Sequence, residues 1–303
     1  MAAQRDTGHD RYGNRLRRNE PMSKHTSWRV GGPADIWFRP QDRAELIDFL
    51  RDCDPQLPLH CVGLGSNLLV RDGGVRGAVV SLQDAAAELE FLGGGKLRAG
   101  AGVPCAIVAR RCVSAGAGPA EFFAGIPGTV GGALRMNAGA FGGETWTHVE
   151  SVEVIDRRGV VQVRSPAEYT IGYREVTGPA DEWFLGAVFR FPEHARTSAA
   201  AVRDLLAERR LKQPLGLPSC GSVFRNPDGD HAARLIETAG LKGFAIGGAE
   251  VSAKHANFII NTGAATAADI EALISHVQET VRTRHGVTLQ PEVQIIGEAQ
   301  ASC

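Results

Sequence analysis

Several things this 303-residue chain lacks narrow what it can be. No apolar run approaches the roughly 18 residues that a membrane helix needs, and no apolar stretch follows the N-terminus, so neither a spanning helix nor a secretory leader is expected. Charge of one sign is missing too: 33 Lys+Arg stand against 34 Asp+Glu, a net charge of −1, which leaves no electrostatic footprint for nucleic acid or a membrane surface. The six cysteines (Cys53, Cys61, Cys105, Cys112, Cys220, Cys303) include no C-x-x-C pair. They read as free thiols in a reducing cytoplasm. There is no H-E-x-x-H, and the nine histidines form no i, i+4 pair around a glutamate, so no metal is expected. Aromatics make up only 6 %, yet a hydrophobic fraction of 43 % still allows a sizeable core. The length suggests about two domains.

Glycine is what the chain has in excess: 37 residues, of which 19 lie between Gly63 and Gly143. No Gly-X-Y period runs through them, which excludes collagen. The dinucleotide fingerprint G-x-G-x-x-G fails, because Gly63-Leu64-Gly65 is followed by Leu68 where the third glycine belongs. A P-loop fails as well, since the only lysine in this region, Lys96, precedes Leu97. Two loops remain, VGLGSNLLVRDGG (62–74) and AGIPGTVGGALRMNAGAFGGE (124–144). Small residues there can expose consecutive backbone N–H groups as an anion-binding nest, or simply make tight turns between strands. Two such loops, each beside a β-type run, favour a bound dinucleotide.

Along the chain, residues 1–22 are polar and Arg-rich and read as a mobile tail. DRAELIDFLRDC (42–53) reads as a helix capped by Asp42, with Leu46, Phe49 and Leu50 on one face. Short β-type runs come next (78–82, 96–102, 149–165 with a turn at 157–159, 183–191), then a helix stopped by Pro214. The last third alternates helix and strand: HAARLIETAG, ANFIINTG, a helix opened by Thr266 with Ile270, Leu273, Ile274, Val277 and Val281 on its apolar face, and VTLQPEVQIIG. The pattern is α+β, with a boundary between 195 and 220.

Seven segments, in order, carry a resemblance to a known family: SKHTSWRVGGPADIW (23–37), GLGSNLLVRDGGVRGAVV (63–80), EFFAGIPGTVGGALRMNAGAFGGE (121–144), YTIGYRE (169–175), CGSVFRNP (220–227), AGLKGFAIGGAEVSAKHANFIINTGAATAADI (239–270) and PEVQIIGE (291–298). The chain resembles the UDP-N-acetylenolpyruvoylglucosamine reductases, FAD enzymes that use NADPH to make UDP-N-acetylmuramate for peptidoglycan. The resemblance implies a two-subdomain FAD-binding module of the vanillyl-alcohol-oxidase (PCMH) type, at 23–92 and 93–195, and a C-terminal α+β substrate-binding domain at 196–303. No insertion follows Tyr173-Arg174, which matches the shorter subtype of the family. A cytoplasmic enzyme is implied, with a UDP-sugar enolpyruvyl ether as partner and with oligomeric state left open, a monomer being compatible.

The resemblance also assigns residues. Gly63, Gly65, Ser66, Asn67, Leu68, Gly125, Pro127, Gly128, Thr129, Gly131, Gly132, Asn137 and Gly139 would line FAD. Ser222 matches the proton donor, Arg174 the arginine on the substrate carboxylate and its enolate, and Glu292 the active glutamate. Tyr173, Lys254, His255 and Asn257 would meet the substrate, Lys254 as a point charge on its diphosphate. Without the resemblance each has a plainer reading: a turn serine, a solvated arginine, a strand-end carboxylate. Arg225 departs from the lysine common at its position. Two further functions share these motifs: reduction of another enolpyruvyl nucleotide, and non-catalytic nucleotide binding.

Overall fold

The computed structural model describes residues 9–192 and 195–300, and the chain forms two compact units, each assembled from separated segments. The first takes residues up to Glu20, Ala34–Gly63 and Arg76–Ala199; the second takes Pro21–Pro33, Leu64–Val75 and the chain from Ala200 onward. The sequence reading keeps 23–92 together as one subdomain, whereas the packing divides it.

Residues 1–8 lie outside the described residues, but the segment from Tyr12 to Pro21 corrects the expectation of a mobile tail. Leu16–Pro21 is a strand on the edge of a four-stranded sheet, ordered Leu16–Pro21, Pro33–Phe38, Val75–Ser81, Leu59–Val62. Tyr12 and Leu16 are buried, the Tyr12 ring 4.8 Å from Phe38 and 6.1 Å from Phe49. Each such burial is worth roughly 1.5–3 kcal/mol, enough to order a short polar segment. Arg15 adds two-pronged bonds to Glu45, through Nε at 3.1 Å and Nη2 at 2.7 Å. The Arg43–Asp52 helix buries Leu46, Phe49 and Leu50 on the same core, and Asp42 caps it by accepting the Glu45 N–H at 2.9 Å.

A five-stranded antiparallel sheet completes this unit, ordered Val161–Arg164, Val149–Asp156, Glu182–Arg190, Lys96–Gly100, Leu89–Gly93. Its alternation is plain in Lys96–Gly100, where Leu97 and Ala99 are buried and Arg98 is exposed. The Cys105–Ala115 and Val130–Met136 helices share its apolar core through Val108, Cys112, Ala133 and Leu134.

The second unit is built around the Ala267–His285 helix, whose buried face is Ile270, Leu273, Ile274, Val277 and Val281. Thr266 and Asp269 form its capping box. Around it lie the Ala232–Thr238 helix and an antiparallel sheet of Ala245–Ile246, Ala249–Val251 and Ile259–Asn261. The two early segments are threaded into this core. Trp28, fully buried, donates its indole N–H to Ile259 O at 2.7 Å, and Asn261 Nδ2 donates to Trp28 O at 2.8 Å. Leu68–Val70 pairs in parallel with Gln294–Ile296. Asp72 accepts the Ala267 and Ala268 N–H groups at 3.0 and 2.9 Å, a carboxylate at the positive end of the long helix. The five described cysteines are free thiols. No helix among the described residues is long and apolar enough to cross a membrane.

Candidate active site

In the first unit the glycine-rich segment opens the Val130–Met136 helix. Thr129 precedes it in extended backbone (φ −96°, ψ 165°), buried, with its side chain making no capping bond. A Cβ built on Gly63 would stand 2.5 Å from Thr129 Oγ1, and one on Gly132 would stand 4.0 Å away. Gly63 thus lets its backbone pack directly against the hydroxyl, whose neutral donor chemistry fits a flavin dinucleotide. The expected row of open amides is only partly there. Val130 N–H donates to Val103 O and Gly131 N–H to Ala101 O, both at 2.9 Å, while Gly128 O accepts from Cys105 N–H at 2.9 Å. Pro127 is exposed, and Gly125 lies where a Cβ would collide with Ala140 Cβ at 2.5 Å.

Asn137 has a different task from the cofactor contact expected of it. It ends the helix in left-handed backbone (φ 41°) and is buried. Its Nδ2 donates to Glu144 Oε2 at 3.0 Å and Gly172 O at 3.1 Å, while Oδ1 accepts from Trp146 N–H at 3.1 Å. Both amide protons are therefore spent on the protein. One of them fixes the hairpin that carries Arg174.

That hairpin joins Thr170–Gly172 to Glu175–Thr177, with Gly172 opposite Glu175, so Tyr173 and Arg174 form a two-residue turn. Arg174 lies at φ +57°, a left-handed conformation costing a non-glycine residue of order 1–3 kcal/mol. Its Nη2 donates to Gly139 O at 2.9 Å and its Nη1 to Asn137 O at 3.3 Å, and the guanidinium lies 5.2 Å from the Tyr173 ring centre. Both acceptors are neutral, so these two bonds fix the head without cancelling its charge. Tyr173 is 47 % exposed.

The second unit brings Ser222 and Glu292 onto adjoining chains. Phe224 bridges Pro291 in antiparallel fashion, Glu292 N–H donates to Val223 O at 2.7 Å, and Arg225 N–H donates to Gln290 O at 2.9 Å. The loop Gly65–Leu68 is part of the same assembly. Asn67 Nδ2 donates to Glu292 O at 3.0 Å, and Asn67 O accepts from Gln294 N–H at 3.0 Å. Ser66 is half-buried beside it. Gly65 (φ +64°) must be glycine, since a Cβ there would lie 2.0 Å from His25 O. Cys220, for which sequence offered no role, places Sγ 3.5 Å from Leu68 O, and burial pushes its thiol up to about 12. No spacing motif could have signalled that tie.

Three residues expected at the substrate are placed otherwise. Asn257 is buried, its Oδ1 accepting from Phe224 N–H at 3.0 Å and its Nδ2 donating to Phe224 O at 2.8 Å; its amide serves the strand that carries Ser222. Lys254 is exposed and donates from Nζ to Arg210 O at 2.5 Å, near the C-terminus of the Ala199–Lys212 helix. His255 packs edge-on to Phe258, with ring centres 4.8 Å apart, and its buried Nδ1 has no hydrogen-bond partner among the described residues. Burial lowers its pKa below the ordinary histidine value. Among the described residues no group of three or more His, Cys, Asp or Glu could hold a metal ion.

Comparison with known proteins connects these features. Residues 34–164 match an FAD binding domain, and residues 213–296 match the C-terminal domain of UDP-N-acetylenolpyruvoylglucosamine reductase. The chain is 58 % identical to the UDP-N-acetylenolpyruvoylglucosamine reductase of Alkalilimnicola ehrlichii over 94 % of its own length and 96 % of that protein's. It belongs to the UDP-N-acetylenolpyruvoylglucosamine reductase family. The protein of that name from Methylococcus capsulatus is 55 % identical over 93 % of each chain. The crystal structure of the reductase from Thermus caldophilus superposes with a TM-score of 0.78 at 32 % identity, covering 92 % of this chain and 99 % of that one. The expected fold class holds: an α+β FAD-binding module followed by the family's C-terminal domain.

Proposed function

We infer that this protein is an FAD-dependent oxidoreductase that reduces UDP-N-acetylglucosamine enolpyruvate to UDP-N-acetylmuramate, a peptidoglycan precursor. The observation that carries the reading is near-full-length identity of 58 % to a reductase of that name, in a chain that has Arg174, Ser222 and Glu292 in the family's motifs. When bound, FAD supplies the hydride that the enol ether accepts at its methylene carbon, and NADPH is the proposed source of that hydride.

The chain's own residues handle the charge and the proton. Negative charge develops on the neighbouring carbon and its carboxylate, and we assign Arg174 to those oxygens. A guanidinium fixed by Asn137 O and Gly139 O spends little entropy in meeting a planar carboxylate. Because the charge on those oxygens grows towards the transition state, the contact strengthens as the reaction proceeds. Ser222 is assigned the proton that quenches the enolate at the carbon next to the carboxylate. A hydroxyl is a weak acid, so its contribution depends on placement; a positioned donor is worth about 10²- to 10⁴-fold. Glu292, one backbone hydrogen bond from Val223, is assigned to orienting the groups around that proton transfer. Thr129 and its glycine neighbours are proposed to hold FAD. A nucleotide-sugar substrate and free thiols fit action in the cytoplasm.

The test is direct. Purified protein is expected to be yellow, to take one hydride per flavin from NADPH on its own, and to turn NADPH over repeatedly when UDP-N-acetylglucosamine enolpyruvate is present. A colourless preparation that FAD does not reconstitute overturns the flavoenzyme reading. A yellow one whose NADPH oxidation ignores this substrate points to reduction of another enolpyruvyl nucleotide.

A further inference from the structure

We propose that Asn257 and Asn67 are positioning residues of this reaction, two side-chain amides that brace the strand pair carrying Ser222 and Glu292. The proposal rests on the assignment of Ser222 and Glu292 to proton delivery.

The bonds on either side of the Phe224–Pro291 bridge, Arg225 N–H to Gln290 O and Glu292 N–H to Val223 O, make it a pair whose own peptide groups point away from each other. Phe224 is buried, so its N–H and C=O would be left unsatisfied on that far side. Asn257 supplies both partners from one side chain, accepting at Oδ1 (3.0 Å) and donating from Nδ2 (2.8 Å), while its main-chain oxygen accepts Val223 N–H at 2.9 Å. One residue thereby replaces a third strand along Val223–Phe224, directly after Ser222. Asn67 does the equivalent for the partner chain. Its Nδ2 donates to Glu292 O and its main-chain O accepts from Gln294 N–H, both at 3.0 Å, so the chain is held at Glu292 itself and two residues further on. Only a carboxamide of this length both donates and accepts at Phe224. Aspartate cannot donate, leucine does neither, and glutamine is a methylene too long.

A serine hydroxyl has almost no reach of its own, so displacement of its backbone displaces the proton. A misplacement of about 1 Å can cost up to about 100-fold. The test compares Asn257→Leu and Asn67→Asp with the parent holoenzyme in stopped flow, following flavin reduction by NADPH and flavin reoxidation by substrate separately. Amide hydrogen exchange is followed on the same holoenzymes. Asn257→Leu is expected to slow reoxidation by about 10- to 100-fold, with flavin reduction and substrate KM within about 3-fold of the parent. Exchange at Phe224 should quicken by about 10-fold, while the Ala267–His285 helix keeps its protection. Asn67→Asp should give a smaller loss in reoxidation, with faster exchange confined to the Glu292–Gln294 chain.

Unchanged exchange at Phe224 overturns the brace, as does equal slowing of both half-reactions in variants whose helix protection is also lost. A rise in KM with reoxidation intact overturns it in favour of direct substrate contact by Asn257. Ser222→Ala runs alongside: if it leaves reoxidation untouched, the assignment of Ser222 fails, while the exchange data still judge the brace.

Discussion

Arg174 stands at the tip of a two-residue turn in left-handed backbone, whereas Ser222 and Glu292 stand on a strand pair whose buried peptide groups are tied down by side-chain amides. The contrast comes from reach. A guanidinium lies far from its own Cα, so backbone precision at Arg174 would be wasted unless the head were fixed, and it is the head that meets Asn137 O and Gly139 O. The serine hydroxyl is two bonds from Cα, so its placement is the placement of its backbone. Asparagine does the fixing in both regions, through Asn137 under the hairpin and through Asn257 and Asn67 on the strand pair.

The largest effect that can break this comparison is expected from Ser222→Ala. Flavin reduction by NADPH should persist, while product formation falls by about 10²- to 10⁴-fold, read as a split between the two half-reactions. Product formation within a few-fold of the parent would remove the proton-donor role. Next comes Trp28→Phe, aimed at the core that carries the strand pair. It keeps most of the buried ring but leaves Ile259 O without its indole donor, and should cost about 1–3 kcal/mol of unfolding free energy. Urea unfolding measures this, and a midpoint equal to the parent's would mean that Trp28 anchors the N-terminal segment by packing alone.

Much of the second unit is legible in the residues. The Ala267–His285 helix declares itself by Thr266 and by the spacing of Ile270, Leu273, Ile274, Val277 and Val281. What periodicity cannot express is partnership across long separations. Nothing near Asp72 announces that its carboxylate caps a helix beginning at Ala267, and nothing near Trp28 names Ile259. Leu16–Pro21 reads as tail because an edge strand with Arg17, Arg18 and Asn19 exposed looks solvated, and only Leu16 and Glu20 face inward. At the site, the motifs identify which residues matter but not what they do. Asn67, Asn137 and Asn257 sit inside the motif segments and read as ligands, yet each carboxamide bonds to groups of the protein, mostly backbone, and only coordinates reveal which.

The smallest effect sharpens the other half of the comparison. If Arg174 is held by its head at a backbone conformation it does not favour, removing the side chain two ways should separate head from backbone. Arg174→Ala and Arg174→Gly both lose the bonds to Asn137 O and Gly139 O, so those losses cancel when the two variants are compared. What differs is the cost of φ +57°, which glycine adopts freely and alanine does not. The glycine variant gains unfolded-state entropy, which works against it by up to about 1 kcal/mol, so a left-handed native position is the setting in which Gly can still equal or exceed Ala. At an ordinary strand or helix position the order is reversed, with Gly below Ala by roughly 0.5–1 kcal/mol. Unfolding midpoints should therefore place Gly above Ala by up to about 1 kcal/mol, while both variants lose turnover to a similar extent. Alanine clearly more stable than glycine would show that the turn relaxes once the guanidinium is gone, and that the arginine head, not the hairpin, imposes the left-handed backbone.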